Sequence, residues 1–396
     1  MWVFFFQNPQ PTGIGNDVSY DQYEGHDYRS AQYDLDDYND EDLSQVAALE
    51  RAQFILNRKE EEMDWMDQHK KEPLKTQDDV MKNFSGKVVQ FDELDFGKKI
   101  GEGGFGEVFF AKWHKTVVAV KKLRASRISK RREKQFSEEV LNFCQLDHPN
   151  IIKFLGIVLE KSNLCIIMEY MQTSLFNVLF IEEEDDSLSE IQQLTIIQGM
   201  CFGLRYLHEK KIAHCDIKSE NVLLDIIQNE SYVAKISDFG LSMVRTNTET
   251  SSAAEVERIR NVGTPRYSAP EVLRGEMLSA SDMMMSDIYS LALVIYEVVY
   301  REEPFFDRSY AQLQKQVGEK GRLPDMEDNL VQMSIKDTMM IALSFKPTCR
   351  PSANTIHDQF LDIEKLFVED DSPEEEDSAE EEDSPKEDDY DTDESL

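Results

Sequence analysis

Cysteine is scarce and never paired. The five thiols, Cys144, Cys165, Cys201, Cys215 and Cys349, are scattered through 396 residues with no CxxC and no short-spaced Cys/His cluster. That argues against a structural zinc site and a disulfide framework, and it points to a reducing compartment, the cytoplasm, with the nucleus as the alternative. Basic excess is missing as well. Lys and Arg number 43 against 78 Asp and Glu, a net charge of -35, so nothing favours nonspecific binding to nucleic acid or to an anionic membrane, which needs clustered cations. A protein or basic peptide is the expected partner. No uninterrupted apolar run reaches the roughly 18 residues of a membrane span. The opening Met1-Trp2-Val3-Phe4-Phe5-Phe6 has no basic residues before it and is too short for a signal peptide's apolar region.

The charge is concentrated at the ends. Residues 1–90 hold 9 basic and 19 acidic side chains, 91–366 hold 33 and 42, and 367–396 hold 1 and 17. Residues 1–41, rich in Asp, Tyr, Gln and Gly, have too few aliphatic side chains to offset the entropy of ordering and read as a disordered acidic segment. Residues 42–72 read as an amphipathic helix, with Val46, Leu49, Leu56 and Met63 on one stripe. Gln53 and Glu60 interrupt the heptad seam, so the case for association through this helix is weak and the oligomeric state stays open. Residues 73–90 form a linker. Residues 367–396 read as an acidic disordered tail in which Ser372, Ser378 and Ser384 each have an acid at the third following position, a pattern suited to a modifiable charge switch.

The middle of the chain carries the chemistry. Gly101-Glu102-Gly103-Gly104-Phe105-Gly106-Glu107-Val108 fits G-x-G-x-x-G-x-V, where small residues let backbone amides approach phosphates. The same glycines serve dinucleotide folds when a strand turns into a helix. Here Val108 to Ala111 and Val117 to Val120 are alternating or β-branched and read as a hairpin, which suits a lid over phosphates. The second strand ends in Val118-Ala119-Val120-Lys121. Further on come a candidate helix, Gln135 to Leu141, and the turn His148-Pro149-Asn150, then a strand, Leu164 to Met171, and a helix, Ile191 to Glu209. His214-Cys215-Asp216-Ile217-Lys218-Ser219-Glu220-Asn221 and Asp238-Phe239-Gly240 follow in order.

In these motifs, over about 275 residues, the chain resembles the eukaryotic protein kinase superfamily. The resemblance implies an α+β, bilobal protein kinase fold over residues 91–366, between disordered acidic flanks. A small antiparallel-sheet lobe (91–168) would join through a hinge (169–171) to a larger, mainly helical lobe (172–366). It implies ATP and Mg²⁺, with Mn²⁺ as a substitute. Gly101, Gly103, Gly106, Val108, Ala119, Lys121, Met168, Glu169 and Met171 would bind the nucleotide. Glu139, with Glu138 as competitor, would pair with Lys121. Asp216 would orient or accept the proton of the attacking hydroxyl, Lys218 would neutralise the transferred phosphoryl, and Asn221 and Asp238 would hold metal.

By the same resemblance Glu271 pairs with Arg350 and Asp287 anchors the catalytic-loop backbone. Lys218 and Thr264 match serine/threonine kinases. Phe91-Asp92-Glu93-Leu94 and Ala111-Lys112-Trp113 look like the tyrosine-kinase-like group, especially mixed-lineage kinases, whose substrates are MAP kinase kinases. The implied activity is transfer of the γ-phosphoryl group of ATP to Ser or Thr of proteins in intracellular signalling. The rivals are a pseudokinase scaffold and a small-molecule kinase on the same fold. One residue departs from the pattern: Cys215 stands where the family usually has arginine, which bears on control by the loop bearing Thr246, Thr248, Thr250, Ser251 and Ser252.

Overall fold

The structure, a computed structural model, describes residues 87–370 apart from 103–105, 124–139, 141–142, 161–162, 182–187, 228–230, 240–241, 245–262 and 327–332. The expected acidic segment at 1–41, the helix at 42–72 and residues 371–396 of the tail expected at 367–396 lie outside these, whereas residues 367–370 of that tail are helical. The chain divides into two compact units, residues 1–23 with 70–364 and residues 24–69 with 365–396. The first contains almost everything described.

Its sheet lobe has six strands: β1 (Lys87–Val88), β2 (Leu94–Glu102), β3 (Gly106–Trp113), β4 (Thr116–Leu123), β5 (Phe154–Glu160) and β6 (Asn163–Glu169). They run in the order β1-β5-β6-β4-β3-β2. All pairings are antiparallel except β1 with β5. The sheet therefore begins at Lys87, four residues ahead of Phe91, inside the expected linker. The β3–β4 hairpin forms because its apolar residues alternate over a two-residue loop in which His114 takes a left-handed φ of 53°. Alternation also gives the sheet two faces. Val118 and Val120 of β4, with Cys165 and Ile167 of β6, Val89, Leu94, Ala111 and Val158, form a closed core. Burying each of the Val, Leu and Ile side chains among these stabilises the lobe by about 1.5–3 kcal/mol. Ala119, Lys121, Ile166 and Met168, their immediate neighbours, face a cleft instead.

The second lobe is mainly helical. It contains α1 (Leu175–Phe180), α2 (Glu190–Glu209), α3 (Pro270–Arg274), α4 (Ala280–Tyr300), α5 (Tyr310–Leu313), α6 (Met333–Ala342) and α7 (Ala353–Asp370). The last runs four residues beyond the expected domain end at Leu366. Capping boxes start the two long helices, Ser189 with Gln192 for α2 and Ser279 with Asp282 for α4. Helix α4 is long and apolar enough to cross a membrane by length and composition, yet most of it is buried in the core. Two small sheets sit beside the helices. Strands β7 (Thr173–Ser174), β9 (Val222–Ile226) and β10 (Tyr232–Ile236) form one, and β8 (Ile212–Ala213) pairs with β11 (Met243–Val244) in the other. Gly203 lets α2 press onto the chain leading into β5, since a Cβ there would lie 2.7 Å from the Asn150 carbonyl. Ile236 N–H in turn donates to Asn150 O and Ile152 N–H to Ile236 O. This seam fixes the end of β10, and so Asp238, against the sheet lobe.

Candidate active site

A cleft of about 570 Å³ opens between the two lobes. Its upper wall comes from the cleft face of the sheet: Ile100, Val108, Ala119, Lys121, Ile166 and Met168. Glu169 and Met171 close one side, and Leu223, Ser237, Asp238 and Phe239 form the floor. Gly101 lies near the end of β2 and Gly106 begins β3. A Cβ on Gly106 would stand 2.2 Å from the Lys122 carbonyl, so only glycine allows β3 and β4 to pair that closely. Gly103 and Glu139 lie outside the described residues, so the expected Lys121–Glu139 pair has no described geometry.

Lys121, 3 % exposed, places Nζ 2.8 Å from Asp238 Oδ1. Asp238 itself takes a left-handed φ of 63°, a conformation a non-glycine residue adopts only where its surroundings enforce it. Phe239 supplies part of that enforcement, buried against the rings of Phe143 at 5.0 Å and His214 at 5.3 Å. Burial alone would raise the Asp238 carboxyl, but Lys121, through charge and hydrogen bond, and then Lys218 outweigh it and hold the group below the usual carboxylate range.

Below the cleft runs the loop between β8 and β9. Its backbone is pinned from underneath: Asp287, buried in α4, accepts from His214 N–H and Cys215 N–H, each at 2.8 Å. Cys215 is thereby kept at φ 65°, and its neighbour Asp216 is presented on a fixed backbone. Asp216 Oδ2 lies 3.3 Å from Lys218 Nζ and accepts from Asn221 Nδ2 at 3.1 Å. Asn221 Nδ2 also donates to Asp216 O at 2.8 Å, and Lys218 Nζ donates to Thr264 Oγ1 at 2.9 Å. Burial works against charge on Lys218, yet Asp216, Glu220 and Asp238 together raise its pKa above the ordinary value.

Asn221 shows what the site is built to receive. It is 1 % exposed, its amide NH₂ is fully engaged by Asp216, and its Oδ1 has no partner among the described residues. A buried carbonyl oxygen without a donor costs stability unless something electropositive meets it. Ser237, between Asn221 and Asp238, donates N–H and Oγ–H to Asn221 O and so ties the two residues to one frame. Among the described residues no three His, Cys, Asp or Glu side chains gather into a self-sufficient metal site. An oxygen-preferring divalent ion would be held here by Asn221 and Asp238 together with ligand phosphates, the arrangement small hard cations favour.

Of the expected residues, Val108, Ala119, Lys121, Met168, Glu169, Met171 and Asp238 line the cleft, Asp216, Lys218 and Asn221 form a bonded cluster below it, and Gly101 and Gly106 stand on β2 and β3. Sequence reasoning missed Ile100, Phe143, Ile166, Leu223 and Ser237 as cleft walls. Strands β6 and β9 are buried on both faces over Leu164–Met168 and Val222–Leu224, so neither carries the alternation that would have marked its cleft-facing residues. Glu271 and Arg350 meet away from the cleft in a fully buried bidentate pair at 2.6 and 2.8 Å.

A protein-family profile described as "Protein kinase domain" matches residues 94–361. The serine/threonine-protein kinase CTR1 of Arabidopsis thaliana is 34% identical over 273 residues, 68% of this chain and 31% of that protein. The probable serine/threonine-protein kinase drkB of Dictyostelium discoideum is 35% identical over 242 residues, 60% of this chain and 32% of its own length. A putative serine/threonine-protein kinase/receptor, R818, of Acanthamoeba polyphaga mimivirus is 32% identical over 249 residues, 63% of this chain and 14% of that protein. The chain therefore spans a third or less of the length of these relatives.

Proposed function

Because this chain belongs to the protein kinase domain family, we propose that it is an ATP-dependent protein serine/threonine kinase. The observation that carries this reading is one buried cluster of charge: Lys121 paired with Asp238 in the cleft, Lys218 close enough to act on Asp238 and paired with Asp216, and Asn221, bonded to Asp216, with an Oδ1 that has no partner among the described residues. Phosphoryl transfer passes through a loose, highly charged transition state, so positioning and positive charge supply most of the catalysis.

Each residue then has a task. Lys121 holds the α and β phosphates, and Asp238 keeps it aimed into the cleft. Asp216, steadied by Asn221 and Lys218, orients the hydroxyl of a substrate serine or threonine and accepts its proton. Lys218 neutralises the transferred phosphoryl, and its bond to Thr264 links that charge to the segment on which a substrate rests. Asn221 and Asp238 hold Mg²⁺, which offsets phosphate charge when bound. Ala119, Met168, Met171 and the backbone of Glu169 take the adenine beneath Val108, and the glycines at 101, 103 and 106 serve the phosphates. The kinase domain spans about 91–366, joined at its ends by Lys87–Val88 and the last turn of α7.

The likeness to CTR1 and the sequence motifs support a place in the tyrosine-kinase-like group, with MAP kinase kinases as substrates, in cytoplasmic signalling. Incubating the purified full chain with Mg-ATP and a peptide library tests the reading. Phosphoserine and phosphothreonine in the products, absent with Asp216→Asn, are the expected result. Metal-dependent ATP binding without transfer to any protein, itself included, would make it a pseudokinase scaffold.

A further inference from the structure

Phe110 is a large aromatic residue that the chemistry above leaves unused. It lies on β3 two residues past Val108, on the same face of the strand, and stands opposite Ala119 in the β3–β4 register. Val108 and Ala119 both line the cleft, whereas Phe110 is not among its walls. Its ring meets that of Tyr170 instead, edge to face, with centroids 5.3 Å apart and planes at 84°, an arrangement that the ring quadrupoles favour. Tyr170 sits in the hinge between Glu169 and Met171, which are cleft walls, and is itself not one. Both aromatic residues are half-buried. Burial raises the Tyr170 pKa and the Asp225 carboxylate on β9 adds to the rise, so the tyrosine stands within reach of a strand of each lobe.

A gap in β2 makes the seat for Phe110. Pairing of β2 with β3 slips between Phe96 and Lys99, and Gly97 lies in the slip. A Cβ on Gly97 would be 2.9 Å from Phe110 Cδ1 and 3.3 Å from Phe110 O, so any side chain there would displace the ring. The consequence is positional. In the sheet, β4 lies between β3 and β6, the strand that leads into the hinge, and β2 is the outermost. The Phe110–Tyr170 contact ties the two strands that flank the glycine loop to the hinge without passing through β4. We infer that Gly97, Phe110 and Tyr170 form an aromatic brace that holds the glycine-loop strands over the cleft at the spacing a bound nucleotide requires. The inference rests on the kinase reading and adds positioning residues to it. Without the brace, β2 and β3 sample more open positions, and apparent nucleotide affinity falls with the fraction still competent to bind.

Neither ring lines the cleft, so both can be altered without removing a nucleotide contact. In the full chain, Phe110→Leu and Tyr170→Leu should each bind a fluorescent ATP analogue with Mg²⁺ roughly three- to tenfold more weakly, and KM for ATP should rise similarly while kcat stays within about twofold. The double variant should lose little more than either single one, because each removes the same contact. Tyr170→Phe keeps the ring and drops the hydroxyl, so its affinity should stay within about twofold of the unaltered chain. Gly97→Ala, which leaves both rings present but crowds Phe110, should weaken binding in the same direction. Melting curves identify a variant that has failed to fold. If Phe110→Leu is one, the Tyr170 variants decide, since the brace requires a loss with Leu and none with Phe. Unchanged affinity in folded Phe110→Leu or Tyr170→Leu protein would overturn the brace, as would additive losses in the double variant. Equal losses in Tyr170→Phe and Tyr170→Leu would also overturn it, assigning the effect to the hydroxyl. If the unaltered chain binds no nucleotide, the kinase reading fails and the brace with it.

Discussion

Single side chains in this fold have roles set by burial and by the group facing them. Lys121 pairs with Asp238 in the cleft, and Asp216 stands in the loop below it beside Lys218, so Lys121→Met, Asp216→Asn and Asp238→Asn should each abolish nearly all phosphate transfer in protein that still unfolds cooperatively. Wild-type turnover in a folded Asp216→Asn or Asp238→Asn protein would contradict the proposed mechanism. Glu297 is a different case. It has no exposed area, accepts from Tyr267 Oη–H at 2.6 Å, and leaves Oε2 without a partner among the described residues. Burial raises its pKa to about 8 against the bonds from Tyr267 and Ser219, with Glu220 adding to the rise and Arg266 opposing it. A raised carboxyl stabilises the fold fully below its unfolded value of 4.5 and loses that contribution as pH climbs toward 8. The slope is at most about 1.4 kcal/mol per pH unit. Glu297→Gln should therefore flatten stability against pH between about 5 and 8 in urea titrations; an unchanged slope would assign the dependence to other groups. Cys215 supports a third expectation. A thiol lacks the forked charged donor that would grip a loop phosphate. Alanine at Thr246, Thr248, Thr250, Ser251 and Ser252 together should accordingly leave at least about a tenth of the initial rate, a loss under about 1.4 kcal/mol in the barrier. A drop of several hundredfold would show that loop phosphates act without the arginine.

At the scale of elements, the ties between segments decide what survives substitution. Arg350 donates to both oxygens of Glu271, which also accepts from Ser286 Oγ–H, and all of this is buried where α3, α4 and the turn before α7 meet. Arg350→Ala leaves an uncompensated buried carboxylate and should cost about 3–5 kcal/mol, read as a lower denaturation midpoint, with nucleotide affinity per folded molecule little changed. A loss below about 1 kcal/mol would mean that water reaches Glu271. The β3–β4 hairpin was legible in the sequence from its local pattern, and this pair and the Asp287 anchor from the family resemblance. Strand β1 was not: two residues show no period, and only its pairing with β5 makes Lys87–Val88 a strand. The partner of Glu169 was equally hidden, since Lys235 lies 66 positions away and no local pattern links the two. Leu223 could be placed in a strand but not on a cleft floor, because β9 is buried on both sides of the residue and sequence cannot say which neighbour a buried face meets.

For the whole molecule, charge is the property that no single element determines. The chain carries -35, and residues 367–396, with 17 acidic side chains against 1 basic, contribute far more per residue than residues 91–366 with 42 against 33. A field of that sign acts over about one Debye length, roughly 8–10 Å at physiological ionic strength, so it influences the approach of a charged partner more than the chemistry once that partner is seated. Steering appears in kcat/KM under conditions where encounter limits the rate, and it weakens as salt is added. For a Lys- or Arg-rich peptide substrate, kcat/KM should therefore fall with ionic strength more steeply than for a neutral peptide. Deleting residues 371–396, which leaves α7 intact, should reduce that slope and leave kcat unchanged. The comparison uses initial rates at several salt concentrations for both peptides and both proteins. Equal slopes in the full-length and shortened chains would place the steering charge within the kinase domain, whereas a changed kcat would mean that the tail acts on the catalytic step and not on the encounter.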